Sequence, residues 1–354
     1  MSDSLPPSPL PLELEDPIPV YVVWRPRERY LVPVLLLLAT LFTTLVVGAR
    51  LQDNFNRGLA AFSASDQSLP LFPLTWILHH PSRLLMGIPF ALALMGILLA
   101  HEMGHYLYCR YYRVSATPPY FIPAPTLIGT LGAFIRIRSM FPSRRSLFDI
   151  GIAGPIAGFV LAVPVSIAGL MLSRPVGSVP ASDINLGMPL IFRWIHAVGI
   201  HRSVPFDHLL LHPLAVAGWV GMFATSLNLL PGGQLDGGHI VFSLSPRAHR
   251  TVSLLAIAAL LPLAYYDWIG WLIWAVLLAM TGLRHPTIVR GEPLDTKRKL
   301  LAVFAVVMLA LSIIPAPFAD SGIVSMKGDL LQLGRSLYEL IRHAPDIIRY
   351  YFRK

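Results

Sequence analysis

His101, Glu102 and His105 stand together in the run LLAHEMGHYLYC, residues 98–109. On an α-helix, residues four apart share a face, so both imidazoles can reach one Zn²⁺ while Glu102 stands beside them as a proton acceptor. The chemistry such a group supports is metal-assisted hydrolysis. Two imidazoles and a carboxylate inside an apolar helix are costly unless paired or liganded, which marks the cluster as a functional site. A catalytic zinc takes three protein ligands and keeps one position open. The third ligand is expected from NLLPGGQLDGGH, residues 228–239, where Pro231, Gly232 and Gly233 stop a helix. The Gly237-Gly238 pair would then let the backbone turn sharply, so that Asp236 projects back toward the membrane interface.

These residues must be positioned by membrane-spanning elements. The 354 residues are 55% apolar and 13% charged, well under the roughly 25% charged of soluble domains. The formal charge of +9 does not point to nucleic acid, because the basic residues gather at the ends of apolar runs with no basic stripe or nucleic-acid motif between them. The single Cys109 excludes an intramolecular disulfide and reads as a small buried hydrophobe. Residues 1–30, acidic and proline-rich at the start, read as a disordered tail with no secretory signal. Arg25, Arg27 and Arg29 precede a first apolar run at 31–49 and place the N-terminus in the cytoplasm.

A second span at 84–108 carries the histidines near its end, which parity puts on the cytoplasmic side. Six arginines between the second and third spans agree with that placement. A third span is expected at 150–172 and a fourth at 209–230, so His101, His105 and Asp236 can converge at one depth. Residues 251–282 suit a shallow hairpin with Asp267 at its tip, and 300–315 a last span. Residues 327–354 alternate apolar and basic at helical spacing, as an interfacial amphipathic helix does. The expected fold is an all-α polytopic membrane protein of six to seven transmembrane helices. Its domains are the tail at 1–30, a membrane domain at 31–317 with its core at 84–240, and an amphipathic tail at 318–354.

Between the second and third spans, the prolines of PPYFIPAP exclude helix, and residues 133–138 alternate with a strand period. Phe134, Arg136 and Arg138 fall on one side, Ile135 and Ile137 on the other. A β-hairpin dipping toward the metal and a plain surface hairpin both fit. Gly151, Gly154 and Gly158 read as a close-packing face, Asp149 as the N-cap of the third span, and His79 and His80 as solvated loop residues. His212 is expected too far from the metal to ligate it. His239 suits either a partner of Asp236 or a backbone cap.

With HEMGH in one span and NLLPGGQLDGGH closing a later one, the sequence resembles the site-2 protease family of intramembrane zinc metalloproteases over about residues 84–290. The resemblance implies one Zn²⁺ held by His101, His105 and Asp236, with Glu102 as catalytic base. Asn228 and Pro231 match the family's N-x-x-P-x-x-x-L-D-G motif, where the asparagine engages substrate. The segment from PPYFIPAP to Ile137 looks like the family's membrane-associated β-hairpin, so Ile135 and Ile137 join the implied substrate-binding set. The loops and tail leave no room for the PDZ or CBS domains of other members, which implies the compact form. The substrate class implied is a single-span membrane protein cut in or near its transmembrane segment; the basic residues at the span ends, on their own, suit a prokaryotic cell membrane as the setting. A membrane ion or metal transporter would predict an inverted repeat that the sequence lacks. A non-catalytic relative that binds transmembrane segments would have no use for Glu102.

Overall fold

The computed structural model describes residues 30–63, 69–177, 185–281, 292–319 and 321–324. The expected terminal tail and amphipathic C-terminal helix lie outside these residues. The chain opens with α1 (Leu31–Asn56), ends that helix at Gly58 with φ +73°, and passes through the short α2 (Leu74–His79). His79 and His80 are exposed, as expected. A 3₁₀ segment, Pro81–Gly87, leads into α3 (Ile88–Tyr111), the helix of the histidines. Gly87 lets the two helices meet: a Cβ there would lie 2.1 Å from the Leu45 carbonyl oxygen of α1.

Strands β1 (Tyr120–Pro123) and β2 (Thr130–Phe134) then form the antiparallel hairpin. Its turn carries Gly129 at φ +80°, pressed so closely on α1 that a Cβ would meet the Thr43 carbonyl at 2.7 Å. The Thr43 hydroxyl donates to the Gly129 carbonyl at 2.6 Å, so the hairpin is pinned to the middle of α1. The regular strand lies earlier than the expected 133–138, because residues 136–138 leave β1 and bond instead to 115–117. The alternation itself holds: Phe134, Arg136 and Arg138 are exposed, while Ile135 and Ile137 are half-buried.

Helix α4 (Arg144–Leu172) begins with a reciprocal Ser143–Ser146 capping box. The cap is therefore Ser143, not Asp149, which lies well inside the helix and makes an ion pair described below. After α4 come β3 (Arg174–Pro175), α5 (Leu190–Val198) and β4 (Leu209–Leu210), the two strands pairing antiparallel. Next are α6 (Pro213–Asn228), α7 (Asp236–Leu244), α8 (Pro246–Tyr266), α9 (Gly270–Thr281) and α10 (Thr296–Ser312).

Among the described residues, four segments are long and apolar enough to cross a membrane: Leu31–Asn56, Pro81–Tyr111, Arg144–Leu172 and Pro246–Tyr266. The expectation of six to seven spans counted the segments of α6 and α10 as further crossings, with residues 251–282 as a hairpin. At 16 and 17 residues, α6 and α10 are shorter than the roughly 20 that 30 Å of hydrocarbon needs, and so are not among these four. The hairpin around Asp267 forms, but it is not shallow, since its first arm α8 is itself of spanning length.

Helix α4 is central and packs against α3, α6, α7, α5 and α10. Phe90, Leu94 and Ile97 of α3, Phe148 and Phe159 of α4, and Trp219 and Val220 of α6 fill the core. Outward-facing Leu35, Leu92, Val160, Leu255, Ile273 and Val303 are exposed, the pattern of a bundle whose perimeter meets lipid. Cys109 is fully buried, as its apolar surroundings predict.

Candidate metal centre

His101 and His105 are buried on the face of α3 that meets α4. Two glycines of α4 make room for them. A Cβ at Gly154 would lie 2.1 Å from His105 Nε2, and one at Gly158 would lie 3.2 Å from His101 Nδ1. Because the helices run antiparallel, residues four apart on α3 find a matching pair four apart on α4. The expected close-packing face is thus also a pair of sockets for imidazoles. Gly104, inside the HEMGH run, completes the approach: a Cβ there would meet the Ala153 carbonyl at 2.5 Å.

Asp236 arrives from a different element. Helix α6 ends at Asn228, and residues 229–235 turn back through Gly233, at φ +58°. The sharp turn is therefore at Gly233 rather than at Gly237-Gly238, which are helical residues of α7. Their hydrogens face backbone: a Cβ at Gly237 would meet the Leu229 carbonyl at 2.2 Å, and one at Gly238 the Gly233 carbonyl at 2.4 Å. The loop is braced by α8, where the Ser253 hydroxyl accepts from Gly233 N–H at 3.3 Å and His249 Nε2 donates to the Gly233 carbonyl at 3.0 Å. Arg144, at the start of α4, donates to the Ser243 and Leu244 carbonyls at 2.9 and 2.7 Å and holds the far end of α7.

The three side chains converge. His101 Nε2 and His105 Nε2 are 3.2 Å apart, and Asp236 Oδ2 lies 3.3 Å from the first and 3.2 Å from the second. Tetrahedral bonds of about 2.0–2.1 Å require donors about 3.3–3.4 Å apart, so this triangle fits a zinc ion with two imidazoles and one carboxylate. His105 Nδ1 donates to the Ile150 carbonyl at 2.7 Å, which fixes the tautomer that leaves Nε2 free as a ligand.

Around the donors lies a cleft of about 220 Å³, walled on one side by Ala133–Ile135 and Ile137 and on the other by Gln234–Asp236 and His239. Glu102 is buried in it and accepts from the Ile135 backbone N–H. Asn228 places its amide nitrogen 3.1 Å from His101 Nε2. A second cavity of about 150 Å³ shares His101, Glu102, Ala133 and Asn228, and runs between α3 and α6 to Trp274 of α9. Ile135 and Ile137 line the cleft; Pro231 is not among the residues lining either cavity and lies three residues past the end of α6. His239 sits one turn along α7 from Asp236, its Cβ packed over Gly151. His212 caps the far end of α6 instead, accepting from Leu214 N–H.

Sequence reasoning missed the sockets at Gly154 and Gly158 and the Ile150 carbonyl. The repeated four-residue spacing of GIAGPIAG was the signal for the first two; a backbone acceptor leaves no residue-type signal.

A profile of peptidase family M50 matches residues 89–264. The chain is 31% identical over 247 residues to a protein of Arabidopsis thaliana named "Probable zinc metalloprotease EGY1, chloroplastic", covering 65% of this chain and 43% of that one. It is 37% identical over 160 residues to the protein of the same name from rice, Oryza sativa subsp. japonica, with 43% and 27% covered. To the Arabidopsis protein named "Probable zinc metalloprotease EGY2, chloroplastic" it is 31% identical over 256 residues, with 67% and 43% covered. The chain thus spans less than half the length of these relatives. The matched region begins on the histidine helix and runs past the aspartate loop, so the residues that build the triangle are those the similarity covers, and the chain belongs to peptidase family M50, the site-2 proteases.

Proposed function

We propose that this chain is an intramembrane zinc endopeptidase that cuts single-span membrane proteins in or near their transmembrane segment. The observation that carries the reading is the Glu102 carboxylate, buried beside a three-donor triangle and facing a strand edge across one cleft.

When bound, Zn²⁺ supplies Lewis acidity, acidifying water and polarising a peptide carbonyl. Glu102 takes the proton from the attacking water and delivers it to the departing amine nitrogen. Its hydrogen bond from Ile135 N–H couples the base to the strand, so the group that positions substrate also orients the base. A helical substrate hides its carbonyls in its own hydrogen bonds, and unwound backbone in a membrane needs new partners. Pairing along residues 133–137 supplies them, with Ile135 and Ile137 against the substrate side chains. The Asn228 amide, next to His101 Nε2, donates to the carbonyl being cut. Residues 31–317 act as one membrane domain on this reading. The metal end faces the cytoplasm of a cell membrane, so that cleavage releases the cytosolic part of the substrate in regulated intramembrane proteolysis. Residues 1–30 and 318–354 are tails to that domain.

The test is cleavage of a panel of single-span proteins in liposomes by the wild-type chain and by Glu102→Gln. The variant is expected to keep one zinc per chain and to lose activity by about 10²–10⁴-fold. Cleavage by the variant at the wild-type rate would overturn the mechanism, and no zinc in the wild-type chain would overturn the reading.

A further inference from the structure

Arg298 lies at the start of α10, which contributes no residue to the metal centre. Its guanidinium closes on both oxygens of Asp149, Nε to Oδ1 at 2.8 Å and Nη2 to Oδ2 at 2.5 Å. The Tyr112 hydroxyl, just past the end of α3, donates to the same Asp149 Oδ2 at 2.5 Å. Burial and the adjacent carboxylate push this phenol up to about 12, so at neutral pH it remains a donor. On its outer side Arg298 also pairs with Asp295, the N-cap of α10. Asp149 is only 8% exposed, and a carboxylate so placed is stable only while its partners hold it.

The position of this knot matters more than its strength. Asp149 immediately precedes Ile150, whose carbonyl receives His105 Nδ1–H. Tyr112 lies seven residues after His105, two turns along the same side of α3. Along the α3–α4 seam the rungs therefore run Tyr112–Asp149, His105–Ile150, then the sockets at Gly154 and Gly158. A slide of one helix on the other moves all of them together. A bidentate arginine–carboxylate pair fixes distance and plane at once, which a single point charge does not.

We propose that Arg298 is a positioning residue for the metal centre: by holding Asp149 against Tyr112 it sets the height of the Ile150 carbonyl and so the aim of His105 Nε2. Helix α10 thereby controls a site it does not touch. This inference rests on the zinc reading of the triangle, and its own failure is separable from that reading's.

The experiment uses the full chain in detergent, stripped of metal and titrated with Zn²⁺ against a chromophoric chelator. The visible spectrum of the Co²⁺-loaded protein serves as a geometry readout, and the metal-free melting temperature as a stability readout. Arg298→Gln is expected to bind zinc about 10–100-fold more weakly with an altered cobalt spectrum. Arg298→Lys should recover part of the affinity, and Asp295→Asn, which breaks only the outer pair, should match wild type. If Arg298→Gln does not fold, Tyr112→Phe carries the test, with a smaller loss in the same direction. Wild-type affinity and spectrum in whichever of these variants fold, or an equal loss in Asp295→Asn, would overturn the proposal. Should the wild type bind zinc yet cleave nothing, the peptidase reading falls and the positioning role stands. Should Arg298→Gln bind zinc normally while Glu102→Gln is inactive, the reverse holds.

Discussion

Two arginines, Arg50 buried and Arg298 half-buried, occupy opposite ends of the bundle, and they are partnered differently. Arg50, near the end of α1 and 1% exposed, donates to three backbone carbonyls: Leu69 at 3.1 Å, Ala61 at 3.5 Å and Ser63 at 2.6 Å. It holds together the loop that follows α1. Arg298, at the metal end, grips a carboxylate that belongs to a helix of the site. A carbonyl cage satisfies a cation wherever the backbone happens to curl, so Arg50 can serve only its own loop. A carboxylate partner has to be supplied by another element, so the pair transmits position between helices. The same contrast separates the glycines: those of the α3–α4 seam near the metal are shaped to side chains or carbonyls that leave no room, whereas Gly96, higher on α3, faces ordinary contact with Leu161 at 3.8 Å.

The contrast can be broken in three places. The largest effect is expected for Gly154→Ala, which drives a methyl into His105; zinc affinity should fall roughly 100-fold while the chain still folds, read by metal content after dialysis. Retention of tight zinc would mean that the imidazole is not seated where the helices place it. Arg50→Met is next: it strands three carbonyls at a cost of about 1–3 kcal/mol, seen as a lower melting temperature. Its zinc affinity should be unchanged, and a change would show that the two ends are coupled after all. The smallest is Gly96→Ala, expected to leave zinc binding alone and to add up to about 1 kcal/mol of helix stability. A loss comparable with that of Gly154→Ala would shift the explanation from sockets to overall seam packing.

Much of the site was legible from residue type alone, because a metal needs particular donors at particular spacings. The helical HEMGH and the aspartate after a helix stop are local signals, and the structure joins them across the bundle. Misplacements came where local signals compete. Ser143 and Asp149 are both good caps, and the reciprocal bond to Ser146 decided for the former. In the aspartate loop, four glycines offered two places to turn; backbone crowding behind Gly237 and Gly238 left the bend to Gly233. The reach of Arg298 to Asp149 joins α10 to α4, 149 residues apart in sequence, and nothing in either residue's neighbourhood announces the other. The expected span count went beyond the four long apolar segments because hydropathy registers how apolar a helix is, whereas a crossing also needs length, and α6 has 16 residues.

The pinning of the Gly129 turn to Thr43 has a consequence for selectivity. A strand whose turn is fastened to α1 by a hydrogen bond and a close backbone contact is suited, on the proposed function, to meeting a client in place. On that reading, adaptation then falls to the incoming polypeptide, and the trait under scrutiny becomes how readily its own helix frays at the point of contact. Two clients with identical residues at the scissile bond would be told apart by the softness of the turns on either side.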